Sequence, residues 1–302
     1  MKVGFVGVGN MGGPMCRNII RNTNHEVVVY DLNDGAVAAC AAVGATAAAS
    51  VADVALACDV VLTSLPMPKH VEDVALGPGG IGENARPGTV VIDLSTNSPE
   101  MARRVHDGLA AKGIAMLEAP VSGGVAGAEA ASIVIMVGGD EAVFEAQRPL
   151  LASFSKEVIH LGAVGFGSVA KLINNQLAFS NMAAAAEALA LGAMSGIDLG
   201  KLHRVIENAS GFSWAYRSVA AKAFDGDFKP GFALDLAHKD LRLALELADQ
   251  LGVPGMIGPQ VMNLMRMARA AGLGADDTSA IIQVYERALG RQVRNRQPTV
   301  PS

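Results

Sequence analysis

Near its N-terminus the chain reads Gly7-Val8-Gly9-Asn10-Met11-Gly12, directly behind the apolar run 3–6 and directly ahead of a helix-compatible segment. GxGxxG is a weak pattern in a glycine-rich chain; its place between a strand and a helix makes it restrictive. Gly7 permits a tight turn, Gly9 lets the backbone approach a pyrophosphate, and Gly12 allows the helix to pack closely on the strand. The helix N-terminus then offers N–H groups and a partial positive charge to phosphate oxygens. The loop therefore predicts a βαβ unit that binds a dinucleotide.

The rest of the N-terminal half keeps that rhythm. Short apolar, β-branched runs recur at 27–30, 60–65, 90–94, 133–137 and 158–161, with helical stretches between several of them. Ser50 marks one helix start, and Ser98-Pro99-Glu100 supplies an N-cap, a first-turn proline and a first-turn acid for another. Strands alternating with helices predict an α/β fold with a doubly wound parallel sheet, a Rossmann domain over residues 1–163. After Gly167 the pattern changes: 171–194 reads as one long Ala- and Leu-rich helix. Helical patterns follow at 198–209, 213–224, 233–251, 257–271 and 277–290, broken by Lys229-Pro230-Gly231 and Val253-Pro254-Gly255. This predicts a long connecting helix and an all-helical domain over 164–290, ending in a polar, fraying tail at 291–302.

The glycine loop predicts an acid about 20 residues on, at the end of the second strand. Asp31 stands there, placed to accept from both ribose hydroxyls and to repel a 2′-phosphate; no arginine follows it, so the cofactor is expected to be NAD. The alternative is that Asp31 caps the next helix. Three more segments fall where strand C-termini would line the crevice: 65–68, with Leu65 and Pro66; 95–97, with Thr96; and 120–124, with Ser122, Gly123 and Gly124. Gly7, Gly9, Asn10, Met11, Gly12, Leu65 and Pro66 are the expected cofactor contacts, although each crevice segment also reads as an ordinary Pro/Gly/Ser loop.

Composition narrows the partners. Of 302 residues 51% are hydrophobic and 18% charged, which excludes a wholly disordered chain, and a net charge of −5 without a basic block argues against nucleic acid or an anionic membrane. No run reaches the ~18–20 uninterrupted apolar residues of a membrane span, and Gly7 to Gly12 cut short the apolar start that a signal peptide would need. A cytoplasmic protein is expected. Cys16, Cys40 and Cys58 read as reduced, largely buried thiols. The six histidines show no metal-ligand spacing, so no metal is expected.

Lys171, Asn174 and Asn175 stand at i, i+3 and i+4, placing an ammonium and two amides on one face of an otherwise apolar helix. Desolvation there would lower the lysine pKa toward acid/base use; equally, the lysine could snorkel to water. The segment 210–216 holds the only tryptophan, Trp214, and is readable as core packing or as a pocket wall over substrate. Lys239-Asp240, by itself, reads as a solvated ion pair.

Five motifs occur in order: GVGNMGGPM at 7–15, DLST at 93–96, APVSGG at 119–124, GSVAKLINN at 167–175 and FALDLAHKDL at 232–241. With them the chain resembles the β-hydroxyacid dehydrogenase family, which includes 3-hydroxyisobutyrate dehydrogenase, across roughly residues 1–290. The resemblance implies that Lys171 is the general acid/base and that Asn175 orients substrate. It implies that Ser122, Gly123 and Gly124 hold the substrate carboxylate, and that Thr96 and Lys239 contact cofactor. It implies NAD-dependent oxidation of a small 3-hydroxy acid, 3-hydroxyisobutyrate first, to its semialdehyde. Serine-type oxidation and tartronate or succinic semialdehyde reduction are the alternatives within the family; a non-catalytic dinucleotide-binding scaffold is the alternative outside it, and such relatives lose the lysine. A helical half this apolar must be covered, so a homodimer or homotetramer is expected.

Overall fold

A computed structural model describes residues 1–294, which form two compact units, one over Met1–Leu172 and one from Ile173 onward. The first unit begins β1 (Lys2–Val6), α1 (Gly12–Asn22), β2 (Glu26–Tyr30), α2 (Asp34–Ala41), β3 (Thr46–Ala47), α3 (Val51–Ala57) and β4 (Val60–Thr63). It continues with α4 (Pro68–Leu76), α5 (Ile81–Asn84), β5 (Val90–Asp93), α6 (Pro99–Ala110) and β6 (Ala115–Glu118). β7 (Val121–Ser122), α7 (Gly124–Glu129), β8 (Ile133–Val137), α8 (Glu141–Ala152) and β9 (Ser155–His160) complete it. The long helix α9 (Phe166–Ser195) leads into α10 (Leu199–Glu207), α11 (Trp214–Asp225), α12 (Leu234–Gln250) and α13 (Gly258–Ala270). A short 3₁₀ turn (Thr278–Ile281) then runs into α14 (Ile282–Leu289).

Six strands form a parallel sheet in the order β3-β2-β1-β4-β5-β6. Strand order reverses between β1 and β4, the position at which doubly wound sheets open a crevice at their carboxyl ends. Side chains alternate between two cores: Val3, Phe5, Val27, Val29, Leu62, Ile92 and Leu117 pack on one face, and Val6, Val28, Val61, Val91 and Met116 on the other. That period of two, buried on both sides, explains why these strands read as nearly continuous apolar runs.

The sheets differ from the sequence reading in several respects. β6 (Ala115–Glu118), an edge strand of the main sheet, falls outside the expected strands because four residues without a β-branched side chain carry little strand pattern. The runs at 133–137 and 158–161 do not extend that sheet: β8 and β9 pair in parallel, β7 joins β8 antiparallel, and together they form a second, three-stranded sheet.

α9 starts at Phe166, ahead of the expected 171, and the division between the units falls within it, so its first two turns, with Lys171, belong to the first unit. It is the one helix among the described residues long and apolar enough to cross a membrane by length and composition. Phe179, Met182, Ala186 and Leu189 on it are core residues of the second unit, packed with Tyr216, Val219, Leu241, Met265 and Ile281. In the expected tail, Val293 is buried and Arg294 pairs with Glu286 at 2.6 Å; residues 295–302 lie outside the described part. The three cysteines are buried free thiols.

Candidate active site

Because the strands of the main sheet run parallel, the segments after β1, β2, β4, β5 and β6 emerge at one edge. After β1 the chain turns at Gly7, whose φ of +87° places it in the left-handed region. A Cβ on Gly12 would overlap with the Gly7 carbonyl oxygen, so α1 can start this close to β1 only with glycine there. A Cβ on Gly9 would meet nothing within 4 Å; the backbone is open on the side from which a phosphate would approach. A cradle closed by two glycines and open at the third fits a pyrophosphate at the start of α1.

Asp31 faces the same loop. One carboxylate oxygen accepts from the Val8 N–H at 2.8 Å and the other from the Asn33 N–H at 2.8 Å. Each oxygen keeps acceptor capacity for a ribose hydroxyl. Asn33, not Asp31, caps α2, accepting from Gly35 and Ala36. Leu32 is 92% exposed and carries no charge that could bind a 2′-phosphate.

The loops after β4 and β5 are tied together from below. Asp93, buried at the end of β5, accepts from the Thr63 hydroxyl at 2.8 Å, the Ser95 N–H at 3.1 Å and the Asn97 amide at 2.7 Å. Ser95 Oγ accepts from the Leu65 N–H at 2.9 Å. Gly7 packs on the same segment, since a Cβ there would overlap with the Ser64 carbonyl oxygen and lie 3.0 Å from Leu65 Cδ2. The structure thus brings together Gly7, Leu65 and the stretch carrying Thr96. Burial pushes the Asp93 carboxyl above its ordinary value, against the hydrogen bonds from Ser95, Thr63 and Asn97. Asn97 Oδ1, also buried, has no hydrogen-bond partner.

Ser122 closes β7, paired with Val134, and Gly123 and Gly124 follow with φ of +144° and +64° at the start of α7. Four residues before Ser122, Glu118 is 1% exposed at the end of β6. One carboxylate oxygen accepts from the Gly165 and Gly167 N–H groups, the latter at 3.0 Å; the other accepts from the Ser168 N–H at 3.3 Å and from the Ser168 hydroxyl. Burial pushes this carboxyl up, and those donors pull against it. Lys171 follows one turn later on α9, 8% exposed. At that burial it is not the snorkelling surface cation that its charge alone allows.

The remaining sequence candidates lie in the second unit. Asn175, 5% exposed, donates to Asp240 Oδ2 at 2.8 Å, and Lys239 Nζ lies 2.9 Å from Asp240 Oδ1. The Lys-Asp pair is therefore buried, at 8% and 3% side-chain exposure, and not the solvated pair its composition alone implies. Asn174 is exposed and donates to the Asn175 side chain at 3.3 Å. Trp214, the first residue of α11, is 68% exposed, while Tyr216 is the aromatic of this segment that packs in the core. Asp93, Asn97, Glu118 and Ser168 were not among the sequence candidates. The available signal was an acid ending an otherwise apolar strand, twice, beside a motif loop.

The chain is similar to known proteins over nearly its whole length. Residues 2–162 match the family described as the NAD binding domain of 6-phosphogluconate dehydrogenase. Residues 165–285 match the one described as NAD-binding of NADP-dependent 3-hydroxyisobutyrate dehydrogenase. The chain is 42% identical to 2-(hydroxymethyl)glutarate dehydrogenase of Eubacterium barkeri over 298 residues, covering 98% of this chain and 99% of that protein. It is 36% identical to NAD-dependent L-serine dehydrogenase of Pseudomonas aeruginosa over 297 residues, covering 96% and 99%. Among solved structures, 3-hydroxyisobutyrate dehydrogenase of Salmonella typhimurium superimposes with a TM-score of 0.87 at 34% identity, covering 94% of this chain and 99% of the other.

Proposed function

Since this chain belongs to the β-hydroxyacid dehydrogenase family of nicotinamide-dependent oxidoreductases, we propose that it oxidises a small 3-hydroxy acid to its semialdehyde, with Lys171 as general acid/base. The observation that carries this reading is a nearly buried lysine one turn beyond Ser168, in the same unit as the glycine loop and the segment 119–124. In the oxidative direction the neutral Lys171 amine takes the proton of the substrate hydroxyl; in reduction the ammonium returns it. Proton transfer of this kind contributes ~10²–10⁴-fold. Ser122 and the backbone of Gly123 and Gly124 hold the substrate carboxylate, and Asn175 orients the reacting carbon. The segment 7–12, Asp31, Leu65, Pro66, Thr96 and Lys239 hold the dinucleotide, which when bound supplies the hydride acceptor. Asp31 and the uncharged Leu32 favour NAD over NADP.

The relatives' names point to a shared substrate skeleton. 3-Hydroxyisobutyrate, serine and 2-(hydroxymethyl)glutarate all contain HOCH₂–CH(R)–COO⁻ and differ in R. We take this skeleton as the substrate class, with 3-hydroxyisobutyrate, R a methyl group, as the first compound to test. The 42% identity to the Eubacterium barkeri enzyme favours a second reading, in which R carries a further carboxylate. An NAD-reduction screen over the three acids, run beside Lys171→Ala, tests the proposal. Wild type should reduce NAD with at least one acid. Lys171→Ala should lose ~10²–10⁴-fold in kcat while keeping its NADH affinity within ~3-fold. Equal turnover in the two proteins would overturn the role given to Lys171.

A further inference from the structure

We infer that Glu118 is a positioning residue, whose buried carboxylate holds the first turn of α9, and with it Lys171, in register with the substrate loop 119–124; this rests on the reading of Lys171 as the acid/base. A carboxylate buried to 1% exposure is costly unless every lone pair is answered. Here four donors answer it, and all four belong to the segment 165–168 that begins α9.

Helices are normally capped by the side chain just before them. The residue before α9 is Gly165, which has no side chain, and the role passes to a strand 47 to 50 residues earlier. A local cap would pair the same N–H groups without burying a charge. A cap supplied from β6 does something further, fixing where the helix begins relative to the sheet. The backbone of Glu118 adds to this, exchanging hydrogen bonds with Gly138 at 3.0 and 2.9 Å and so joining β6 to the residue after β8. The packing leaves no slack: a Cβ on Gly138 would overlap with the Glu118 carboxylate, and one on Gly167 would lie 2.5 Å from the Met136 carbonyl oxygen.

Chain connectivity carries the effect in both directions. Ser122 lies four residues after Glu118, and Lys171 lies three residues after Ser168, one helical turn away. A rigid helix transmits a shift of its first turn to Lys171, and a misplacement of ~1 Å at a reacting group costs ~10²-fold.

The test compares wild type, Glu118→Gln, Ser168→Ala and Lys171→Ala, with 3-hydroxyisobutyrate, L-serine and 2-(hydroxymethyl)glutarate as substrates. Turnover is normalised to NADH-binding sites counted by fluorescence titration, which removes any loss of folded protein. Glu118→Gln keeps the volume but sets an amide NH2 against one of the two pairs of donors; kcat per site should fall ~10–100-fold, with NADH affinity within ~3-fold. Ser168→Ala removes one donor, leaves the carboxylate in place and should lose ~3–10-fold. It keeps the question open to decision should Glu118→Gln not fold. Amide hydrogen exchange should quicken over 165–172 in both variants and stay unchanged over 7–31. Unchanged kcat per site in both variants, or unaltered exchange over 165–172, would overturn the proposal. Full turnover by Lys171→Ala would instead sink the acid/base reading, and the exchange measurement would still decide whether Glu118 sets the turn.

Discussion

Asp31, Asp93 and Asp240 are three carboxylates with three different tasks, each set by what surrounds it. Asp31 is half-buried, and its two oxygens accept from the backbone N–H groups of Val8 and Asn33 beside the glycine loop. Wild type should show a kcat/KM for NAD at least ~10-fold above that for NADP, and Asp31→Ser should collapse that ratio, since a repelled 2′-phosphate is what the charge excludes. Asp93 is buried, and its carboxyl is pushed above the ordinary 3.8, mainly by desolvation. Between 3.8 and the raised value the folded chain retains a proton that the unfolded chain has released, so stability falls as pH rises through that window and then levels off. Urea melts at a series of pH values from 3.8 upward should show this slope, to which the raised Glu118 carboxyl also contributes, and Asp93→Asn should lessen it. Asp240 answers both Lys239 and Asn175 in a nearly dry setting. Asp240→Ala would remove a buried partner of both Lys239 and Asn175 and should cost ~1.5–3 kcal/mol in a denaturant titration.

At the scale of elements, α1 and α9 carry the functional consequences. α1 begins against β1 because Gly12 has no side chain, and Gly12→Ala should abolish NADH binding through displacement of the helix start, read by fluorescence titration. The Ala- and Leu-rich composition of α9 follows from the two demands on it. One face supplies Phe179, Met182 and Leu189 to the second core. Another presents Ile173, Leu177 and Leu191 at 59, 62 and 72% exposure. A stripe this apolar is unusual against water, and we propose that it meets a second copy of the chain. Leu177→Glu should shift the protein to a lower mass in size-exclusion chromatography with light scattering, with its helical circular dichroism retained. An unchanged mass would remove the stripe from any interface.

Over the whole molecule, the two compact units were legible as a change of rhythm, from strand–helix alternation to helix after helix, because periodicity of burial is a local property of sequence. The same locality made the glycine loop and Asp31 readable: Val8 and Asp31 are 23 residues apart, within one βαβ unit of known register. Lys171 stood out as a cation in an apolar helix, and the family motifs supplied the role proposed for it. The groups beneath these residues were not readable. Glu118 finds its donors 47 to 50 residues away, Asn175 finds Asp240 65 residues away, and Thr63 meets Asp93 only because β4 and β5 are neighbours in the sheet. The glycine loop, the acid and the lysine, then, were offered as candidates by the sequence itself, as residue types that stand out in their immediate context. Which buried carboxylate holds which loop was decided only by the tertiary structure, since an acid at a strand end carries no mark of its partner until strand order and helix placement bring the donors to it.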